Sequence, residues 1–441
     1  MQNKKFFFGF LISLWITCSP GFAIHASANE NPTVFTLPQT IKGAIKANLA
    51  LKSSLEGKNA AQAQKKVQIT NFFPSFNATY QYSRDDEASQ IGGITTGAEK
   101  EYSFVTTVTQ PIFAGFSHLN QYKIASLGLD VAEINENLVR QEIIFNAKKT
   151  YFSLLKAQKL FDIAQNTVTQ LKAHKEVAHN YYQVGMTPLN DFLQAEVELA
   201  NAEQELIVAR NQMENAESGF NNLLRRPLDT PVKIKDIIEY LSFEQELEYC
   251  LAEAEKNRLE IKVAELEVEI AERETALAQK DYYPSIDLKG SYFKNGATWD
   301  VDGGEGISDP SGWNVLATAS WDFWEWGKTA YGTREKKSRL SQARLKKEEV
   351  LDNIHLQVKN AYLRTKEAEK AILTVEKAIE QAKENFRINQ ERYKEQIATS
   401  TDVLDAQTLL SRTTSNYYSA LYEFKISKAA LHKAMGQEII E

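Results

Sequence analysis

The chain has 441 residues, enough for two to four ordinary domains, with a formal net charge of −7 and a mean hydropathy of −0.40. No basic face stands out, so nucleic acid is not an expected partner. Its six histidines and two cysteines show no metal-ligand spacing, and no phosphate loop or nucleophile motif is present. Neither a cofactor, a metal site nor a catalytic residue is expected.

Residues 1–28 read as a secretory signal peptide. Lys4-Lys5 precedes an apolar run from Phe6 to Trp15, and Ala26-Ser27-Ala28 has the small-x-small form of a cleavage site. The run is too short to span a membrane, and no later stretch approaches ~18 uninterrupted apolar residues. Cys18 lies late enough in the leader for lipidation, although Trp15-Ile16-Thr17 fits a lipobox poorly. Cleavage after Ala28 leaves Cys250 alone, so stability must come from packing or assembly.

Proline is absent from 112–187, 232–283 and 311–441. It breaks helix interiors, so these gaps admit long helices. Leu37 to Phe73 reads as one helical stretch ending at Pro74. Phe76, Ala78, Tyr80 and Tyr82 then alternate with Asn77, Thr79, Gln81 and Ser83, which predicts a strand with one apolar and one polar face. A polar loop and a second strand from Tyr102 complete a hairpin over 75–111. A long helix over 116–183 follows, about 100 Å at ~1.5 Å per residue. Val184-Gly-Met-Thr-Pro188 reads as a turn, with Gly185 at the helix C-terminus and Thr187-Pro188 as N-cap and first helical position. The tip spans 184–190, the return helix 191–226, and a connector completes a unit over 29–243.

The pattern then repeats over 244–441. A charged helix leads to a hairpin over 285–324, a long helix over 327–393, a tip over 394–401 and a return helix over 402–436. Tyr282-Tyr-Pro-Ser285 echoes Phe72-Phe-Pro-Ser75. Tyr182 pairs with Tyr393, Asp191 with Asp402, Leu193 with Leu404 and Ala195 with Ala406, so the chain is an internal duplication of about 210 residues. From Ile354 to Phe386 the small or apolar positions advance in steps of four and three, a heptad seam that makes the helix supercoil with a neighbour. The fold class is mainly α with a four-stranded β contribution.

Four such strands have no stable place in water and cannot close into a barrel, which takes about eight strands or more. Several copies closing one outer-membrane barrel would pair every edge. Tyr80, Tyr82, Tyr102, Phe104, Tyr292, Trp313 and Trp321 supply its aromatic girdle against outer-membrane lipid. The competing reading is a soluble sheet in a periplasmic coiled-coil scaffold without channel activity.

The duplication, the strand pairs and the two tips resemble the TolC-type outer-membrane efflux family over essentially the whole mature chain. Tyr182-Gln-Val-Gly185 with Asp191-Phe-Leu-Gln-Ala195, and Tyr393 with Asp402-Val-Leu-Asp-Ala406, match that family's tip pattern. The resemblance implies a homotrimer, with a twelve-stranded outer-membrane β-barrel above a long coiled-coil α-barrel in the periplasm of a Gram-negative envelope. It implies an exit duct for small molecules or polypeptides, served by a periplasmic adaptor and an inner-membrane pump of RND, ABC or MFS type. It implies no reaction and no cofactor. By the same resemblance, Asp402 and Asp405 ring the periplasmic aperture, with Tyr393, Asn190 and Asp191 in its latch. Val184, Gly185, Met186, Thr187, Ala398, Thr399 and Ser400 form the adaptor-docking tips. The family often carries a basic latch residue where this chain has Ala398, and glycine where it has Gln396. Asp300-Val-Asp-Gly-Gly-Glu305 faintly resembles a calcium loop but lacks its spacing, and reads as a solvated cell-surface loop.

Overall fold

The computed structural model describes residues 34–438 apart from 89, 93, 96, 238–241 and 308, so the leader and Cys18 lie outside the described residues. In order, the elements are β1 (Val34–Phe35), α1 (Leu37–Ala47), α2 (Leu49–Thr70), β2 (Ser75–Arg84), β3 (Gln90–Ile91), β4 (Ile94–Thr95), β5 (Lys100–Ala114), α3 (Ser117–Gln183) and α4 (Leu189–Leu223). They continue with β6 (Lys233–Ile234), α5 (Leu247–Asn257), α6 (Leu259–Leu277), a 3-10 turn (Lys280–Tyr282), β7 (Ser285–Gly296), β8 (Ser311–Ser320), α7 (Lys328–Lys394) and α8 (Ser400–Ala434). The helices α3 and α7 each run 67 residues without a break. None of the described helices is long and apolar enough to cross a membrane.

The stretch expected as one helix over Leu37 to Phe73 is two. At Asn48 the backbone turns extended (φ −67°, ψ 129°), and the side chain accepts from Ala50 N (2.8 Å) and Leu51 N (3.2 Å). Asparagine competes in this way with the helical backbone and starts a new helix. The stretch over Glu244 to Asp281 breaks likewise at Arg258 (φ −67°, ψ 120°), 210 residues on. The buried Arg258 guanidinium pairs with Glu260 (2.8 Å), reaches Gln357 of α7 (3.0 Å) and donates to the Ala434 carbonyl at the end of α8 (3.2 Å). The start of α6 therefore abuts the end of α8.

Among the described residues, three hydrophobic clusters hold the helices together. Ile144, Ala147, Tyr151 and Leu154 of α3 pack on Leu37 and Ile41 of α1 and on Phe220 of α4. Ile354, Val358 and Ile372 of α7 pack on Leu421, Phe424 and Leu431 of α8 and on Cys250 of α5. Toward the tips, Val168 and Leu171 meet Leu199, Ala202 and Leu404. A polar knot fastens the connector to this body. The Tyr422 hydroxyl donates to Asp236 Oδ1 (2.9 Å), whose other oxygen pairs with Lys159 Nζ (2.8 Å), and the Tyr151 hydroxyl donates to the Lys235 and Phe35 carbonyls. Burial first, then the Asp236 charge, push the Tyr151 phenol up to about 12. Tyr422 is raised further by burial and by its bond to Asp236.

The four long strands form one antiparallel sheet in the order β2-β5-β7-β8, so β2 and β8 are its free edges. The register slips between Pro111 and Phe113, where proline has no N–H to give the ladder. Asn77, Thr107, Ser291 and Asn314 lie directly opposite one another, and the Thr107 and Ser291 hydroxyls bond at 3.3 Å. Ala78, Thr106, Tyr292 and Trp313 form the next row, on the other face.

The duplication is also written in the backbone. Gly115 and Trp326, Phe116 and Gly327, Gly185 and Gln396, and Arg225 and Gly436 are each 211 residues apart and all have positive φ. The first two pairs turn a strand into a long helix; the others end helices. At Gly115 (φ +57°) a Cβ would stand 2.2 Å from the Lys280 carbonyl oxygen.

Candidate aperture site at the helix tips

Both long helices end in the same motif. Gly185 N donates to Tyr182 O (3.0 Å) and Met186 N to Tyr181 O (2.8 Å); Gln396 N donates to Tyr393 O (3.0 Å) and Ile397 N to Arg392 O (2.8 Å). These paired bonds need a left-handed residue, which Gly185 supplies without steric cost and Gln396 does not. The return helices start differently. Pro188, not Thr187, is the N-cap of α4: it gives no side-chain cap, and the Thr187 hydroxyl is left buried without a partner. Proline's fixed φ suits the extended cap conformation, which displaces the expected start by one residue. At α8, Thr399 and Asp402 form a capping box. Thr399 N and Oγ1 each donate to Asp402 Oδ2 at 2.8 Å, and Asp402 N donates back to Thr399 Oγ1 at 3.2 Å. The Thr399 backbone and side-chain bonds hold the exposed Asp402 carboxyl below its usual range.

Behind the turns lies a buried cluster. Tyr393 of α7 is 3% exposed, and its ring sits 5.0 Å from His174 and 5.6 Å from Tyr181, both on α3. His174 Nε2 and the fully buried Ser400 Oγ of α8 are 2.8 Å apart. Ser400 Oγ donates in turn to the Asp191 carbonyl of α4 (3.4 Å). Burial first, then the Asp191 charge, push the Tyr393 phenol up to about 12, and its hydroxyl has no bond of ordinary geometry within the protomer. Burial lowers the His174 pKa, with Asp191 acting against it.

Of the aperture residues inferred from sequence, Tyr393 and Asp191 come together here, whereas Asn190, Asp402 and Asp405 stay exposed at the rim. Ser400, read as a docking residue, is interior to the cluster. Val184, Met186 and Ile397 project into solvent, and Gln396 Nε2 lies 3.5 Å from Met186 Sδ across the two tips. Ala398 is half-buried. His174 and Tyr181 were not expected. Their signal is the seam Leu171, His174, Ala178, Tyr181, in which a titratable ring occupies a position otherwise reserved for apolar residues.

At the opposite end, the register aligns Tyr80 with Phe104, Tyr82 with Tyr102, and Tyr292 with Trp313, so six of the seven girdle candidates share one face. Trp321 lies one residue past β8. Beside it Phe323, Trp324 and Trp326 are strongly exposed at the corner into α7, an aromatic cluster that the strand alternation alone did not single out. Among the described residues no group of three or more His, Cys, Asp or Glu converges as metal ligands.

An amphipathic antiparallel sheet set on two duplicated helical hairpins of about 100 Å is the architecture of an outer-membrane channel protein with a periplasmic helical extension. The chain belongs to the outer membrane efflux protein family, whose model matches residues 40–224 and 250–437. It is an outer-membrane efflux channel of the Gram-negative envelope, and family membership does not favour the periplasmic scaffold reading. The fold is similar to that of the Campylobacter jejuni CmeC outer membrane channel (TM-score 0.81, 17% identity, covering 94% of this chain and 90% of that one). It is also similar to Vibrio cholerae VceC (0.77, 16%, 91% and 96%) and to the open state of the Neisseria gonorrhoeae MtrE channel (0.75, 20%, 91% and 89%). No functionally curated protein matches the sequence.

Proposed function

We propose that three copies close a twelve-stranded barrel in the outer membrane, and that their helices form a periplasmic tunnel serving as the exit duct of a tripartite export system. The observation that carries this is the sheet. It has one aromatic and aliphatic face, one Thr/Ser/Asn face, and two free edges of ten residues each, β2 and β8. Free edges are not tolerated in lipid, and four strands are too few to close alone. Pairing β2 of one copy with β8 of the next satisfies both. In this arrangement Tyr80, Tyr82, Tyr102, Phe104, Tyr292 and Trp313 face lipid. Trp321, Phe323, Trp324 and Trp326 mark the periplasmic boundary, where aromatic rings favour the interface.

The tips then form the periplasmic mouth. The exposed Val184, Met186 and Ile397 suit docking of a periplasmic adaptor, which couples the duct to an inner-membrane pump. Asp402 and Asp405 of three copies give rings of negative charge, as cation-selective pores use. Small molecules or polypeptides are the cargo class. The N-terminal 28 residues act as the export signal, and the two units of about 210 residues divide the mature chain.

Cross-linking in intact outer membranes followed by planar-bilayer recording tests this. The expected result is a trimer that conducts, with cation preference reduced in the double variant Asp402→Ala, Asp405→Ala. Only monomers or dimers after cross-linking would reject the assembly, and unchanged selectivity would remove the aspartates from the pore.

A further inference from the structure

We infer that His174 is a positioning residue of the aperture: its neutral imidazole holds the two tip hairpins of a protomer together, and acidification releases them. The inference rests on the tunnel reading only in taking the tips as the part that moves. His174 bonds the Ser400 hydroxyl at 2.8 Å, and Ser400 bonds the Asp191 carbonyl at 3.4 Å. One hydroxyl therefore joins α3 of the first hairpin to the start of α8 in the second, and α8 to the start of α4. Other polar ties between the hairpins at the tips, the Tyr181 hydroxyl to the Lys394 carbonyl (3.3 Å) and the Thr401 hydroxyl to Gln194 Oε1 (2.8 Å), are exposed, whereas the His174–Ser400 bond is part-buried. The bond is shielded: Ser400 is fully buried and the Tyr393 ring lies tilted against the imidazole, 5.0 Å between ring centres.

The groups facing His174 set the direction of the pH response. The Asp191 carboxylate approaches from α4, the Tyr393 phenol from α7, with Tyr181 of α3 behind it, and α8 presents only the neutral Ser400 hydroxyl. Burial outweighs Asp191, so the closed seam disfavours the imidazolium relative to the ordinary value of 6.5. Parted tips return the ring to water and to that value. A pKa lowered in the closed state means closure is fully favoured above 6.5 and weakens as pH falls toward the lowered value. The Asp191 charge moderates the effect without reversing its sign.

The test is the distance between spin labels on Val184→Cys and Ile397→Cys within one chain, diluted with unlabelled chain, in detergent-extracted protein between about pH 7.5 and about pH 4.5. Expected is one narrow distance at the upper end and a cooperative lengthening below 6.5. His174→Gln keeps a donor for Ser400 but cannot titrate, and should abolish the pH step while keeping the narrow distance. Ser400→Ala should move the step upward toward 6.5. The inference is overturned if His174→Gln retains the step, or if the parent shows none. Loss of conduction without change in these distances would count against the channel reading and leave the latch intact.

Discussion

Gly115 offers the sharpest test of how the sheet is joined to the helices. It sits at the β5–α3 corner with φ +57°, and an added Cβ would lie 2.2 Å from the Lys280 carbonyl oxygen. Two penalties follow for Gly115→Ala. The left-handed backbone costs an L-residue about 1–2 kcal/mol. The contact is a fixed backbone atom that no rotamer change can relieve, so the corner and the Lys280–Tyr282 turn must move apart, an overpacking strain of about 1–3 kcal/mol. The sum is about 2–5 kcal/mol. Trp326, the equivalent residue of the second repeat, already carries a side chain at φ +52°, so left-handed torsion alone is tolerated at this corner. The control is Gly327→Ala at φ +83°, where the nearest atom is the ring of Tyr331 at 3.2 Å, which can swing away. Its expected penalty is the torsional part alone, about 1–2 kcal/mol. Denaturant unfolding of the detergent-extracted protein, followed by circular dichroism, compares the two. If Gly115→Ala is no more destabilising than Gly327→Ala, the Lys280 contact does not restrict this corner and the reasoning fails.

Gln396→Gly should stabilise the second tip by about 0.5–1 kcal/mol, the relief of left-handed strain less the added chain entropy of glycine, read as slower amide exchange at Gln396 and Ile397. Tyr422→Phe should destabilise by about 1–3 kcal/mol, because Asp236 keeps Lys159 but loses its hydroxyl donor. The same knot predicts an alkaline limit. Tyr151 and Tyr422 have pKa values raised by burial above the ordinary 10.0, so the folded state holds protons that the unfolded state releases, and stability falls as pH rises above 10.0. Tyr422→Phe should flatten that fall, as measured by denaturant midpoints across the alkaline range.

The long helices were legible because their signal is simple: proline is missing and the seam is unbroken over many turns. The two faces of the sheet were legible because strand alternation has a fixed period of two. The breaks at Asn48 and Arg258 were not. Neither residue is a strong helix breaker, and Arg258 is drawn out of line by Gln357 and Ala434, which are remote in sequence. The buried tip cluster escaped for the same reason. His174 and Ser400 are 226 residues apart, and nothing local marks either as a partner of the other. The resemblance marked Asp402 only as an aperture charge, and the capping box with Thr399 shows that it also caps the start of α8.

The four pairs of left-handed residues shared by the two repeats have a consequence for what such a duplication preserves. Every pair contains one glycine and one other residue: Gly115 with Trp326, Gly327 with Phe116, Gly185 with Gln396, Gly436 with Arg225. The inherited quantity is a torsion angle. The amino acid that makes the angle easy has drifted from one copy to the other without the path of the main chain changing. A glycine present in one repeat and missing from its twin is therefore no sign that the bend has been lost. The bend outlasts the residue because the sheet and the long helices on either side hold it in place.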